Sequence, residues 1–191
     1  MKRTAVQKLS DGLVALLVLL LCLDILVTPL TPVFAYFRAG DPSAMEFSRL
    51  LATFGYDFGD GLGNLLRIAL ADAWRQPYTA MLALFLLVCG VCGAVILVQG
   101  IRLLASVADG SPFSDRNAVS LRRAAVCAFL ISGAALVRTV STAFLKSAAD
   151  ALLSYTALFI PLFIMAGLLF QLMSGLFRQA TVMKAENDLT I

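Results

Sequence analysis

Two ionisable residues stand inside apolar stretches, where charge is costly, and they are the first candidates for chemistry. Asp24 falls within the run 13–37 and Arg138 within the run 121–145. A charged side chain near the centre of a bilayer carries a penalty of at least about 2.5 to 3.5 kcal/mol on insertion scales. Counted at ~1.5 Å per residue, Asp24 lies roughly 17 Å from Leu13 and Arg138 roughly 22 Å from Arg123, both starting at the same membrane face. These depths fit an ion pair joining the first and third helices, with Gln171 or Thr139 as hydrogen-bonding neighbours. They fit equally an Arg138 that snorkels to the far interface while Asp24 is protonated or faces water.

Other reactive residue types are sparse. Histidine is absent, which removes the commonest metal ligand and the usual general base at neutral pH. Cys22, Cys89, Cys92 and Cys127 all fall in apolar runs, where thiols pack as small hydrophobes. Cys89 and Cys92 form a CxxC beside Gly90 and Gly93, but no second pair accompanies it, so packing is favoured over metal or redox work. Asp57 and Asp60 lie in the turn-rich GYDFGDGLG with too few further oxygen ligands for a calcium site. No P-loop, GxSxG or HExxH is found, and no carboxylate pair shares a helical face. The expectation is a protein that is not an enzyme, with no catalytic residue, cofactor or metal.

Composition explains this scarcity. Hydrophobic residues make up 60% of the 191 and the mean hydropathy is +0.90, well above the ~45 to 50% apolar content of soluble domains. A helix of about 20 apolar residues crosses the hydrocarbon core, and this chain offers four, at about 13–37, 79–105, 121–145 and 149–177. The expected fold is all-α: a single polytopic membrane domain, 1–191. Its formal charge of +3 is small, and the basic residues gather at run ends, which argues against direct nucleic-acid binding.

The polar pieces place these spans. After Lys2, Arg3 and Lys8 comes the first run, which Pro29 and Pro32 should bend near the far interface, with Tyr36 and Phe37 as aromatic anchors. Val33-Phe34-Ala35 offers a small-residue cleavage site, yet Asp24 suits a bundle helix better than a signal core, so an uncleaved first span is expected. In the outer loop 38–78, Asp41-Pro42 reads as a helix start for Phe47, Leu50, Leu51 and Phe54. A second amphipathic stretch then puts Asn64, Arg67, Ala71 and Arg75 on one side and Leu65, Leu66, Ala69 and Ala73 on the other. Both short helices should lie on the membrane surface or cap the bundle; a ligand-binding lid is the alternative. Cys89, Gly90, Cys92, Gly93 and Ala94 make the second span the expected central packing helix. The hinge 105–123 has Gly110 and Pro112 to end that helix and Ser114 to cap the next. Pro161 should kink the fourth span near its middle, and 178–191 should form a short polar tail.

Basic residues give the orientation. Nine, Lys2, Arg3, Lys8, Arg102, Arg116, Arg122, Arg123, Arg178 and Lys184, fall at the amino end, hinge and tail, against Arg38, Arg49, Arg67, Arg75 and Lys146 opposite. The positive-inside rule puts both termini and the hinge in the cytoplasm.

Gly110-Ser111-Pro112-Phe113, Asn117 and Leu121-Arg122 in the hinge, with Glu186-Asn187-Asp188-Leu189-Thr190-Ile191 at the end, carry a family resemblance. The chain resembles the bacterial membrane proteins of domain of unknown function 2975, from about Leu13 onward. The resemblance implies a small multi-pass protein of the bacterial cytoplasmic (inner) membrane with no assigned reaction. It also implies a partnership with a small helix-turn-helix regulator, since such regulators are often encoded beside members. Given the orientation, the two motif segments meet on one cytoplasmic face made of Gly110, Pro112, Phe113, Asn117, Arg122, Glu186, Asp188 and Leu189. That face either docks a protein partner or ties off the helix ends. The function expected is a membrane-embedded interaction or regulatory subunit, in contact with membrane lipid and open to homo-oligomer formation. The alternative is a component of a small-solute or ion transporter or channel.

Overall fold

Leu, Val, Ile, Ala and Phe fill four stretches, and each becomes a helix long and apolar enough to cross a membrane: Leu9–Phe37, Pro77–Ala108, Asp115–Leu145 and Tyr155–Met183. The computed structural model describes residues 5–40, 63, 66–108, 114–145 and 154–188, which are nearly all helical. The elements are α1 (Ala5–Val27), α2 (Thr31–Gly40), α3 (Pro77–Ala108), α4 (Asp115–Leu145) and α5 (Tyr155–Asp188). The expected helix at Asp41–Gly55, Asp57 and Asp60, and the hinge residues Gly110, Pro112 and Phe113 lie outside the described residues.

The first span bends where its prolines require it. Pro29 cannot donate to the helical ladder, and the chain tightens into a 3-10 turn, Thr28–Leu30, before resuming as α2. Thr31 binds the Thr28 carbonyl with both its backbone N–H and its hydroxyl, the latter at 2.7 Å. The continuation lays Ala35 on Leu82 and Ala83 of α3, and Val33 on Ile68. Ile68–Asp72 forms a π-helical turn, followed by the helical turn Ala73–Arg75. The wider π turn rotates the facing of the residues after it. Ile68 and Ala73 are buried, Ala73 on the packed side as expected, while Leu66, expected on that side too, is exposed.

The spans pack in chain order: α1 and α2 on α3, α3 on α4, and α4 on α5. Eleven residues of α4 are buried against six of α3, so α4 is the more deeply buried helix, while α3 packs against both halves of the first span and against α4. The inner side of α4 is built from Ala118, Ala125, Ala128, Ser132 and Ala135, small residues at helical spacings that admit close helix approach. The small residues of α3 serve α1 instead. Gly90 lies under Thr28, Gly93 near Asp24 and Gly100 against Leu17. These pairs fix an antiparallel register.

Three boundaries differ from the sequence reading. α4 begins at Asp115, because the Ser114 carbonyl accepts the N–H groups of Asn117 and Ala118 at 3.0 and 3.4 Å and so starts the helix inside the hinge. α5 begins at Tyr155, which puts Pro161 in its second turn instead of mid-helix. The tail is not a separate polar coil. α5 continues to Asp188, since RQATVMKAEND contains no glycine or proline to stop it.

Candidate functional site

Three hydrogen bonds tie the four spans together at one end. Ser10 Oγ donates to the Leu104 carbonyl at 2.6 Å, joining α1 to α3. Asn117 Nδ2 donates to Ser106 Oγ at 2.5 Å, joining α4 to α3. Ser174 Oγ donates to the Ala118 carbonyl at 2.7 Å, joining α5 to α4. Ser106 also donates to Leu103 O at 2.7 Å, so both hydroxyl roles are filled. The arrangement is a polar belt. It places the start of α1, the α3–α4 junction and the late part of α5 at the same end of the molecule. Interhelical hydrogen bonds of this kind average about 0.6 kcal/mol each in membranes. Their larger effect is on register, because a slip of one residue would strand a buried polar group.

Of the expected docking residues, Asn117 is used internally, at 3% exposure, and cannot be a surface contact. Arg122 and Glu186 are exposed. Asp188 ends α5, and Leu189 lies outside the described residues with Gly110, Pro112 and Phe113. The belt serines escape sequence reasoning. Each is a lone serine within a turn or two of a span end, a signal too common to select.

The other polar centre surrounds Arg138. Its Nη1 donates to Thr156 Oγ1 of α5, and its guanidinium sits 5.1 Å from the centroid of the Phe85 ring of α3. Phe85 in turn meets Phe159 edge-on at 6.1 Å, and Phe159 stacks on Phe163. A cation over an aromatic face in a desolvated setting contributes up to about 2 kcal/mol. Arg138 is thus a clamp between α3, α4 and α5.

Asp24 does not join it. Its Oδ2 is buried with no hydrogen-bond partner, and its Oδ1 faces Gly93. The reason is register and side. The belt puts Ser10 level with Asn117, and Asp24 and Arg138 then stand at depths that differ by ~10 Å along their helices. α1 and α4 also pack on different sides of α3. With Ser10 level with Asn117, Leu13 and Arg123, from which the two depths are counted, are themselves offset by ~4.5 Å. Gln171, one expected neighbour, is exposed, and Thr139 donates to the Ala135 carbonyl of its own helix at 2.8 Å. Asp72 pairs with Arg67 at 3.3 Å and with Arg75 at 3.7 Å. Both arginines are largely exposed, so these pairs add little stability.

The cysteines are packed more closely than the CxxC alone implies. Cys127 of α4 lies close to Cys92, which neighbours Cys89. Cys22 stands apart, exposed on α1.

The helices that carry the belt on its α3, α4 and α5 side coincide with a recognised unit. A family model described as "Protein of unknown function (DUF2975)" matches residues 69–191. The chain belongs to this family. The DUF2975 unit begins in the π-helical turn before α3, so α1 and α2 fall outside it, whereas the motif resemblance extends back to Leu13. No curated protein and no solved structure matches this chain.

Proposed function

We propose that this DUF2975 protein is a membrane-embedded interaction or regulatory subunit of the bacterial inner membrane, with no reaction of its own. Its belted end faces the cytoplasm and docks a soluble protein. The observation that carries this reading is the length of α5. Ser174 is level with the belt, yet the helix continues through residues 175–188, about 21 Å at ~1.5 Å per residue. α3 ends only a turn beyond the belt and α4 begins there. α5 therefore offers a projecting rod whose Arg178, Gln179, Val182, Met183 and Glu186 are exposed, mixed in character as transient interfaces are. A small helix-turn-helix regulator, which the family resemblance implies, is the first partner to try.

Capture from native membranes with the full chain, and with a chain ending at Ala185, tests the reading. Lost capture at unchanged thermal stability supports docking. Lost stability would make the tail a clasp and remove the proposal.

A second reading, a component of a transporter or channel, has one observation in its favour. Asp24 Oδ2 on α1 and Gln99 Oε1 on α3 are buried without hydrogen-bond partners, and unsatisfied polar atoms in a span are costly enough to ask for a ligand. Ion flux into liposomes that depends on Asp24 would support it, and an inactive preparation would not.

A further inference from the structure

The arginines of the two ends are treated differently. At the α2 end, Arg67 and Arg75 both pair with Asp72. At the belt end, Arg102, Arg116, Arg122, Arg123 and Arg178 are exposed and have no ion pair or hydrogen bond among the described residues. Asp115, the carboxylate next to Arg116, is also exposed, and has no ion pair among the described residues.

Helical geometry gathers three of them on one line of the surface. Residues seven or eleven apart share a helix side. On α4 this aligns Arg116, Arg123 and the exposed Leu130, and on α3 it aligns Arg102 with the exposed Val91. Arg102 stands on the side of α3 away from the glycines that receive α1, next to the α4 contact. Arg123 stands on the side of α4 away from α5, next to the α3 contact. With Ser106 opposite Asn117, Arg102 and Arg123 lie one to two turns inside the belt and differ by only ~3 Å in depth. The two guanidinium groups flank one seam at one level. Below them the surface is apolar, and above them Arg116 reaches the aqueous side.

We propose that the seam between α3 and α4 holds the phosphate of an anionic glycerophospholipid between Arg102 and Arg123, with its acyl chains along Val91 and Leu130. Guanidinium groups grip phosphate oxygens in pairs, and basic pockets between spans suit acidic headgroups. The depth of the pair, inside the belt and directly above apolar surface, selects a lipid over a free anion. The site does not depend on the docking of a protein at α5.

Native mass spectrometry of the full chain in non-ionic detergent, with phosphatidylglycerol and phosphatidylcholine at equal concentration, tests this. Phosphatidylglycerol should be retained in preference. R102Q/R123Q should weaken that retention roughly thirtyfold, given ~1 kcal/mol for each basic group at an anionic surface and tenfold per ~1.4 kcal/mol. R67Q/R75Q should leave it unchanged. R102K/R123K keeps the charge without the planar fork and should show the preference at reduced affinity, with circular dichroism matching wild type. Equal retention of the two lipids overturns the site, as does a folded R102Q/R123Q chain or an R102K/R123K chain with wild-type affinity. Displacement by inorganic phosphate as effective as by phosphatidylglycerol would mark a free-anion site and overturn the lipid assignment.

Discussion

Asn117 Nδ2 and Ser106 Oγ lie 2.5 Å apart across the α3–α4 junction, and this contact turns Asn117 inward while its neighbours Asp115 and Arg116 stay exposed. A residue that resembles a surface motif is held in the interior.

Asn117→Ala should therefore lower stability by about 0.5 to 1.5 kcal/mol, the worth of the lost tie, since the Ser106 hydroxyl keeps its bond to the Leu103 carbonyl. In a double-mutant cycle with Ser106→Ala, thermal unfolding in detergent should show the pair coupled by roughly 0.6 kcal/mol. Strict additivity would dissolve the belt at its central link.

A Cβ on Gly90 would come within 2.9 Å of Thr28 Cγ2, and closer still to Thr28 Oγ1. Gly90→Ala should push the bend of the first span off α3 and cost about 1 to 3 kcal/mol. Thr28→Ala in the same chain removes both atoms and should restore most of that loss. A Cβ on Gly133 would meet nothing within 4 Å, so Gly133→Ala should be neutral or stabilising by up to ~1 kcal/mol through helix propensity alone. Equal losses at Gly90 and Gly133 would refute the close approach.

Arg138→Gln removes a cation from the Phe85 face and a donor from Thr156, and should destabilise by roughly 2 kcal/mol. Asp24→Asn should act independently of it. The double variant should equal the sum of the singles within about 0.3 to 0.5 kcal/mol; a larger coupling would restore an ion pair between the two.

The belt sets the α3–α4 junction and the carboxyl-terminal part of α5 at the same end of the molecule. A cysteine at position 111 (S111C) and one appended after Ile191, each in a chain without native cysteines, should both resist a membrane-impermeant maleimide on intact cells. Both should react in inverted vesicles. Labelling of either from outside would end the cytoplasmic docking face.

The spans are legible in the sequence because apolar run length is a strong signal: the expected 79–105 lies within the observed Pro77–Ala108. Polarity is a poorer marker of coil. Asn117 and Ser120 sit in a stretch that reads as hinge, but they are buried helical positions; Asn117 can face inward because it finds a partner on α3. The same error cuts α5 at Phe177, although Ala180, Met183 and Lys184 are good helix formers. The depth of Arg138 relative to Asp24 is misread for a related reason: Leu13 and Arg123 look like one level, while the belt offsets them by ~4.5 Å. Relations between helices, such as Phe85 over Arg138 or Thr28 over Gly90, depend on which span neighbours which, and periodicity within one chain segment carries no such information.

The order in which the spans pack matches the order in which they are synthesised, and this has a consequence for biogenesis. Each new helix leaving the ribosome finds its principal neighbour already in the bilayer: α3 meets α1, α4 meets α3, α5 meets α4. No span has to wait for a later one or thread between two that have already closed. Assembly can proceed as a ratchet, with one serine or asparagine tie latching each successive arrival.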